Sequence, residues 1–179
     1  MKYCSHCSHP VEHIIPPGED RPRFVCPSCG AIHYQNPHLI VGVLPVYGEK
    51  VLLCKRAIEP RKGLWTLPAG FMENNESSQQ GALRETWEEA RAKIASPQLY
   101  RFFDLPYISQ VYLFYRGDVI DGVFEAGPES LEVRLFTESQ IPWQELAFPV
   151  VKQMLEEYFE DRKTQKYPIR SSTIERLIS

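Results

Sequence analysis

Three glutamates in one short run carry the first sign of chemistry. Glu85, Glu88 and Glu89 stand at i, i+3 and i+4, and on a helix those spacings put three carboxylates on one face. Like charges so close repel on a bare helix, so something positive should compensate. A hard divalent cation such as Mg2+ or Mn2+ suits an all-oxygen donor set. An isolated E-x-x-E-E is also the pattern of a solvated acidic face. Arg84 sits four residues before Glu88, where it can serve a site or make a plain surface ion pair.

The cysteines form a second set. Cys4-x-x-Cys7 and Cys26-x-x-Cys29 are separated by 18 residues, which is zinc-ribbon spacing. Each short loop aims two thiolates at one point, and two loops complete a tetrahedron. Zn2+ would supply folding energy that so short a segment lacks in its own core. Two disulfides or four free thiols are the alternatives, and disulfides suit a reducing compartment poorly. His6 and His9 lie beside the first pair and could replace a cysteine ligand. Gly30, after the second pair, suits a turn with positive φ. Cys54, in Val51-Leu52-Leu53-Cys54, reads as a buried strand thiol acting as a small apolar residue.

The elements that must position these residues follow from periodicity. Ser77 with Gln80 is a capping-box pattern and opens a helix expected over 77–94. Leu83, Trp87, Ala90 and Ile94 fall on one apolar stripe, with the glutamates expected on the opposite side. Leu39 to Val46 and Val51 to Arg56 read as paired strands around a Tyr47-Gly48-Glu49-Lys50 turn. Short strands are expected at Trp65 to Leu67, 99–104, 109–116 and 131–136. Thr137 with Gln140 suggests another cap, and a last helix runs from Pro149 to Lys163 with Val151, Met154, Leu155, Tyr158 and Phe159 on its packing side. Asn36-Pro37 makes a natural break. The expected organisation is a ribbon over 1–34, a mixed α and β domain over 35–165, and a tail over 166–179 without an assigned element.

Composition bounds the function. The chain has 179 residues, 43% hydrophobic and 24% charged, which fits one ordinary domain plus a small appendage. Twenty Lys and Arg against 23 Asp and Glu give a net charge of −3, with a pI near 6.0. That balance disfavours a broad electrostatic grip on nucleic acid, though a local basic patch fits it. The longest apolar-leaning stretch, Leu39 to Val46, is far short of the roughly 20 residues a membrane span needs. The N-terminus has no apolar signal core, so a cytoplasmic location is expected.

The stretch Gly70-x5-Glu76-x7-Arg84-Glu85-Thr86-Trp87-Glu88-Glu89 resembles the Nudix box, G-x5-E-x7-R-E-U-x-E-E-x-G-U with U a bulky aliphatic residue. Thr86 departs from the aliphatic position, Arg91 stands where Gly is usual, and Ala92 is a small final residue. Arg91 must let the chain leave the helix without the Gly that eases positive φ. A zinc ribbon ahead of such a box is similar to NADH pyrophosphatases and to a group of FAD or ADP-ribose pyrophosphatases. Val51 to Arg56, Gly63 to Gly70 and Gly127 to Glu132 look like the second group, and the S-Q-P-W-P-F-P segment of the NADH enzymes is absent.

The resemblance implies an α/β (α+β) fold, a Nudix α/β/α sandwich with a mixed sheet behind a small zinc ribbon. It implies a divalent-metal-dependent pyrophosphohydrolase that cleaves FAD, ADP-ribose or a similar nucleotide and releases AMP. Glu85, Glu88 and Glu89, with the Gly70 carbonyl, would bind Mg2+ or Mn2+. Arg84 would fix the glutamate rotamers and Glu76 would hold Arg84. The general base is a box glutamate or a later one, Glu129 or Glu132. Arg56 could meet a phosphate, and Phe103, Tyr107 or Tyr112 could stack on a ring, though a strand-edge charge and core packing are the ordinary uses of such residues. The partners expected are a small nucleotide substrate and a second copy of the chain, with nucleic acid not expected. The alternatives are NADH pyrophosphatase, RNA cap removal, or a non-catalytic module that binds a ligand or nucleic acid.

Overall fold

The computed structural model describes residues 1–175, in two compact units, Met1–Pro37 and from His38 onward. In the first, β1 (Glu12–Ile14), β2 (Arg23–Val25) and β3 (Ile32–His33) form an antiparallel sheet in that order. Its strands are too short to bury an apolar face. Cys4 and Cys26 are its only buried members of the hydrophobic core, so the cysteines stand where a core would be.

The second unit is built on a mixed sheet. Its strands are β4 (His38–Tyr47), β5 (Lys50–Arg56), β6 (Trp65–Thr66), β7 (Ala69–Phe71), β8 (Ile94–Leu105), β9 (Gln110–Val119), β10 (Ser130–Phe136) and β11 (Arg170–Thr173). The order is β10-β5-β4-β9-β8-β11, with β6 paired to β5 and β7 to β4. The β4–β9 and β8–β11 pairs are parallel and the others antiparallel.

Two helices, α1 (Ser78–Ala90) and α2 (Pro149–Thr164), cover opposite faces. The alternation of side chains along each strand makes this visible. Leu44, Val46, Val51, Leu53 and Phe114 share a cluster with Val151, Met154, Leu155, Tyr158 and Phe159 of α2. The intervening Val41, Val43 and Leu113 pack with Ala82, and Leu52 and Cys54 with Ala90, on the α1 side. The expected α/β/α sandwich is the observed fold, and Cys54 is a buried strand residue.

One irregularity matters for the site. β4 and β5 pair only at Val46↔Val51 and Tyr47↔Lys50. Beyond the hairpin they part, and the segment from β6 to β7 fills the gap, with Val41 opposite Gly70 and Cys54 opposite Thr66. The split lets a bend of backbone reach α1 through the sheet.

The expected α1 is corrected in two respects. It ends at Ala90, and Ile94 begins β8. Its buried face is Gly81, Ala82, Thr86, Glu89 and Ala90, whereas Trp87 is 43% exposed. The apolar stripe of Leu83 and Trp87 is therefore not the packing face. Small residues bring the helix close to β4: a methyl added at Gly81 would lie 2.9 Å from Val41 Cγ2. Thr86 stands where an aliphatic residue was expected, and its hydroxyl donates to the Ala82 carbonyl at 2.8 Å, so the core position holds no orphaned polar group.

Part of the tail joins the sheet. Arg170 to Thr173 pair with Arg101 to Asp104 of β8. Arg101 is fully buried and donates to Asp161 at 2.6 Å, to Glu157 and to the Pro168 carbonyl at 2.7 Å. Arg170 closes the network onto both Asp161 oxygens. Residues 176–179 of the tail lie outside the described residues. No helix among the described residues is long and apolar enough to cross a membrane.

Candidate active site

The capping box fixes where α1 starts. Ser77 Oγ accepts from the Gln80 amide at 3.2 Å, and the Gln80 side chain accepts from the Ser77 amide at 2.8 Å. The start sets the phase of every later side chain, and Arg84 becomes a hub. Its Nε and Nη2 donate to Glu76 at 3.1 and 2.8 Å, in a bidentate pair. Nη1 donates to Glu85 at 2.7 Å and Glu88 at 3.1 Å, and Nη2 also reaches the Phe71 carbonyl at 3.1 Å. Glu76 accepts in addition from the Glu73 amide at 2.7 Å. The Arg84 guanidinium, with this amide, holds the Glu76 carboxyl down to about 2.

Glu85 and Glu89 point inward. A methyl added at Gly70 would lie 2.5 Å from Glu85 Oε1, so a larger residue there would push the carboxylate aside. Glu89 is 7% exposed. Burial, then the charge of Glu85, pushes its carboxyl up to about 8, with Arg56 and the Ala69 amide pulling the other way. Burial likewise raises Glu85, against the pull of Arg84. Glu88 remains more open.

The loop before β10 lies against the far end of α1. Arg91 ends the helix in the left-handed region, at φ 49° and ψ 21°, which is the conformation its missing Gly would have taken easily. Glu125 N–H donates to the Ala90 carbonyl at 2.8 Å and Gly127 N–H to the Glu89 carbonyl at 3.0 Å. These bonds satisfy carbonyls the helix leaves open. A methyl at Gly127 would overlap the Glu88 carbonyl oxygen and stand 2.8 Å from its carbon. Glu129, two residues on, is thereby held at the cleft, and its charge bears on both Glu85 and Glu89.

A cleft of about 770 Å³ opens over this constellation. Gly70, Arg84, Glu85, Glu88, Glu89, Glu129, Arg56 and Tyr112 all line it. Arg56 is anchored by Nε to the Pro60 carbonyl at 2.8 Å, and its guanidinium lies 5.3 Å from the centre of the Phe148 ring. The lining also includes the apolar Ile40, Phe114, Val150 and Val151, and the exposed Tyr107. Two expected residues are elsewhere. Glu132 lies on β10 opposite Lys55, outside the cleft lining. Phe103 is fully buried in the core against Phe114, so it cannot stack on a ligand. Phe148 and Arg91 line the cleft although sequence reasoning gave them no site role. The Gly-to-Arg departure at 91 was the available signal for the second.

The donor set suits a hard divalent cation. Glu85 is half-buried with Arg84 as its bonded cation, Glu89 is buried with only the positive charge of Arg56 acting on it, and the surrounding donors are oxygens. Their oxygens do not converge as tightly as the cysteines: among the described residues, Cys4, Cys7, Cys26 and Cys29 are the group whose ligand atoms all lie within 4.8 Å of one another. Sγ atoms of Cys4 and Cys29 are 3.7 Å apart and those of Cys7 and Cys26 3.5 Å. A tetrahedron with Zn–S bonds of about 2.3 Å has edges of about 3.8 Å, so the quartet fits Zn2+. The thiols are free rather than disulfide-bonded. His6 and His9 are not members. His33, which the sequence did not single out, is buried with Nε2 3.3 Å from Cys4 Sγ.

The zinc-ribbon family described as Nudix N-terminal matches residues 2–35, and the NUDIX domain family matches residues 36–158. A crystal structure of a NUDIX hydrolase from Nitrosomonas europaea is 51% identical, covers 98% of this chain and 100% of its own, and superposes with a TM-score of 0.95. An ADP-ribose pyrophosphatase from Streptococcus suis 89-1591 shares the fold at 18% identity, with a TM-score of 0.63 over 76% of this chain and 100% of its own. The NAD-capped RNA hydrolase NudC of Stutzerimonas stutzeri (strain A1501) is 26% identical over 94% of this chain and 59% of its own length. The chain thus spans about six-tenths of that curated relative. With both units matched and half the residues shared with a solved NUDIX hydrolase, this chain belongs to the Nudix hydrolase family and carries that family's zinc ribbon ahead of the hydrolase domain.

Proposed function

We propose that the chain is a divalent-metal-dependent pyrophosphohydrolase that cleaves the phosphoanhydride of an ADP-containing dinucleotide or nucleotide sugar and releases AMP. The observation that carries this is the constellation of Glu85, Glu88 and Glu89 lining one cleft together with Arg56 and a set of apolar side chains. The diphosphate lies toward Arg56 and the glutamates, and the adenine or its counterpart packs along Tyr112 and Phe148. Glu85, Glu88, Glu89 and the Gly70 carbonyl would hold Mg2+ or Mn2+, which supplies charge compensation for the diphosphate and acidifies water. Arg84 holds the glutamates in place, and Glu76 holds Arg84. Glu129 accepts the proton of the attacking water; its carboxylate lines the cleft, and the docked loop holds it there. Zn2+ in the cysteine quartet stabilises the ribbon.

FAD and ADP-ribose are the substrates expected from the sequence motifs. The curated relatives named as NAD-capped RNA hydrolases support a second reading, an NAD-type dinucleotide at the end of RNA. A panel of FAD, ADP-ribose, NADH and NAD-capped RNA, with Mg2+ and with Mn2+, tests both. AMP, or for capped RNA a 5′-monophosphate end, is the expected product. Absence of cleavage from the whole panel sinks the proposal.

A further inference from the structure

Trp87 does not pack into the core and is 43% exposed beside Glu88 on α1. The Arg91 guanidinium lies 5.6 Å from the centre of its ring, with Nη1 3.4 Å from the Trp87 carbonyl, and the Lys93 ammonium lies 5.9 Å from the same ring. Two cations thus lie over one indole that remains 43% exposed. Arg91 also lines the cleft, so the cleft and this patch are continuous. The backbone at Arg91 is left-handed, φ 49°, a conformation unfavourable for a long side chain. A Gly there would relieve the backbone and lose the cation that joins patch to cleft.

We propose that Trp87, Arg91 and Lys93 form an extension subsite for the single-stranded polynucleotide that continues a substrate beyond its diphosphate. This rests on the proposed pyrophosphohydrolase reading and names RNA as the larger part of its substrate. Charge complementarity selects the occupant. A nucleotide chain offers a flat base at each phosphate, an exposed indole offers a stacking surface for any base, and the two cations match the phosphates on either side. A free dinucleotide ends within the cleft and does not need the patch. The net charge of −3 is compatible with this, because the contact is local.

Two measurements on the full, zinc-replete chain test it. The first is binding of a fluorescein-labelled, 5′-monophosphorylated ten-nucleotide single-stranded RNA, read by anisotropy in buffer without Mg2+ or Mn2+. Trp87→Ala and Lys93→Glu should each weaken binding on the order of ten-fold. Arg91→Gly, which relaxes the backbone, should weaken it as well while keeping or raising the melting temperature. The second is turnover with Mn2+. Trp87→Ala should lower kcat/KM on NAD-capped RNA on the order of ten-fold and leave ADP-ribose and NADH hydrolysis near wild type. Equal binding by wild type and variants, or equal loss on capped RNA and on dinucleotides, overturns the subsite. If nothing in the panel is cleaved yet the variants lose RNA binding, the catalytic reading fails and the subsite stands.

Discussion

Gly127→Ala tests whether the loop before β10 is part of the catalytic geometry. Gly127 has an ordinary backbone conformation, so an Ala is not strained by φ. The obstacle is steric, since the new methyl would overlap the Glu88 carbonyl oxygen and come within 3.2 Å of the Glu89 carbonyl carbon. Carbon and oxygen need about 3.3 Å, and backbone cannot swing aside as a flexible side chain would, so the loop must lift on the order of 1 Å or more. Lifting it breaks or stretches two bonds, Gly127 N–H to Glu89 and Glu125 N–H to Ala90. At about 1 kcal/mol each, plus the cost of leaving buried carbonyls open, the loss comes to roughly 2–4 kcal/mol. For a chain of this size that lowers Tm by about 5–12 °C. Glu129 moves with the loop, and a misplacement on the order of 1 Å can cost up to about a hundred-fold in rate. Differential scanning calorimetry and Mn2+-dependent AMP release from ADP-ribose read the two effects. A variant with the wild-type Tm and wild-type kcat would show that the loop is not docked as described, and the assignment of Glu129 would lose its support.

Glu88→Gln should abolish most metal-dependent turnover while leaving the circular dichroism spectrum and Tm unchanged, because Glu88 is the most open of the three box glutamates; wild-type turnover would remove it from the site. Glu129→Gln should lower kcat by about 10²–10⁴, the usual range for a general base, whereas Glu132→Gln, outside the cleft lining, should not; the reverse order would exchange their roles. Cys26→Ser should release zinc in a dye assay and unfold the first unit, seen as lost amide protection over residues 1–37, and retained protection would refute a metal-built ribbon. Asp161→Asn removes one of the two carboxylates paired with buried Arg101, the one that is itself buried, and should cost about 3–5 kcal/mol near neutral pH. Burial works to raise the Asp161 carboxyl, but Arg170, Arg101 and Tyr100 outweigh it and its pKa is lowered. A lowered pKa gives stability that is present above the unfolded-state value and disappears as pH falls through the folded one, so the gap between wild type and variant in urea melts should narrow in acid. A gap independent of pH would deny Asp161 that charge role.

The sequence made the box legible because its spacing is chemical. Glu76, Glu85 and Glu88 meet around the Arg84 guanidinium, and a helix allows few spacings that do so. Strand and helix order was legible from periodicity for a similar reason: each buried face repeats at a fixed interval. The rotation of α1 was not, because a rule that sends apolar residues inward assigns Trp87 to the core. Here the inward face had to carry Glu89 and Glu85 toward Gly70, and the helix approaches the sheet through Gly81, Ala82 and Ala90 instead. Arg170-Ser171-Ser172-Thr173 offers no apolar period from which to assign an element, since the strand is held by backbone pairing and ion pairs rather than apolar burial. Arg101 is a charged residue in a core position, and nothing local marks it; its partners lie 56 to 67 residues away. His33 was hidden for the same reason, 29 residues from Cys4.

That distance has a consequence for biogenesis. As the polypeptide leaves the ribosome, β8 emerges with an arginine destined for a dry interior, while the acids that neutralise it are still being translated. Until Glu157 and Asp161 are out, the β8 side of the sheet can only close around a bare cation, which the interior penalises heavily. The hydrolase unit is therefore expected to complete its packing late, once α2 and the strand behind it have been released, and a ribosome stalled before that point would hold a chain whose glutamates and cleft are fully synthesised but not yet assembled.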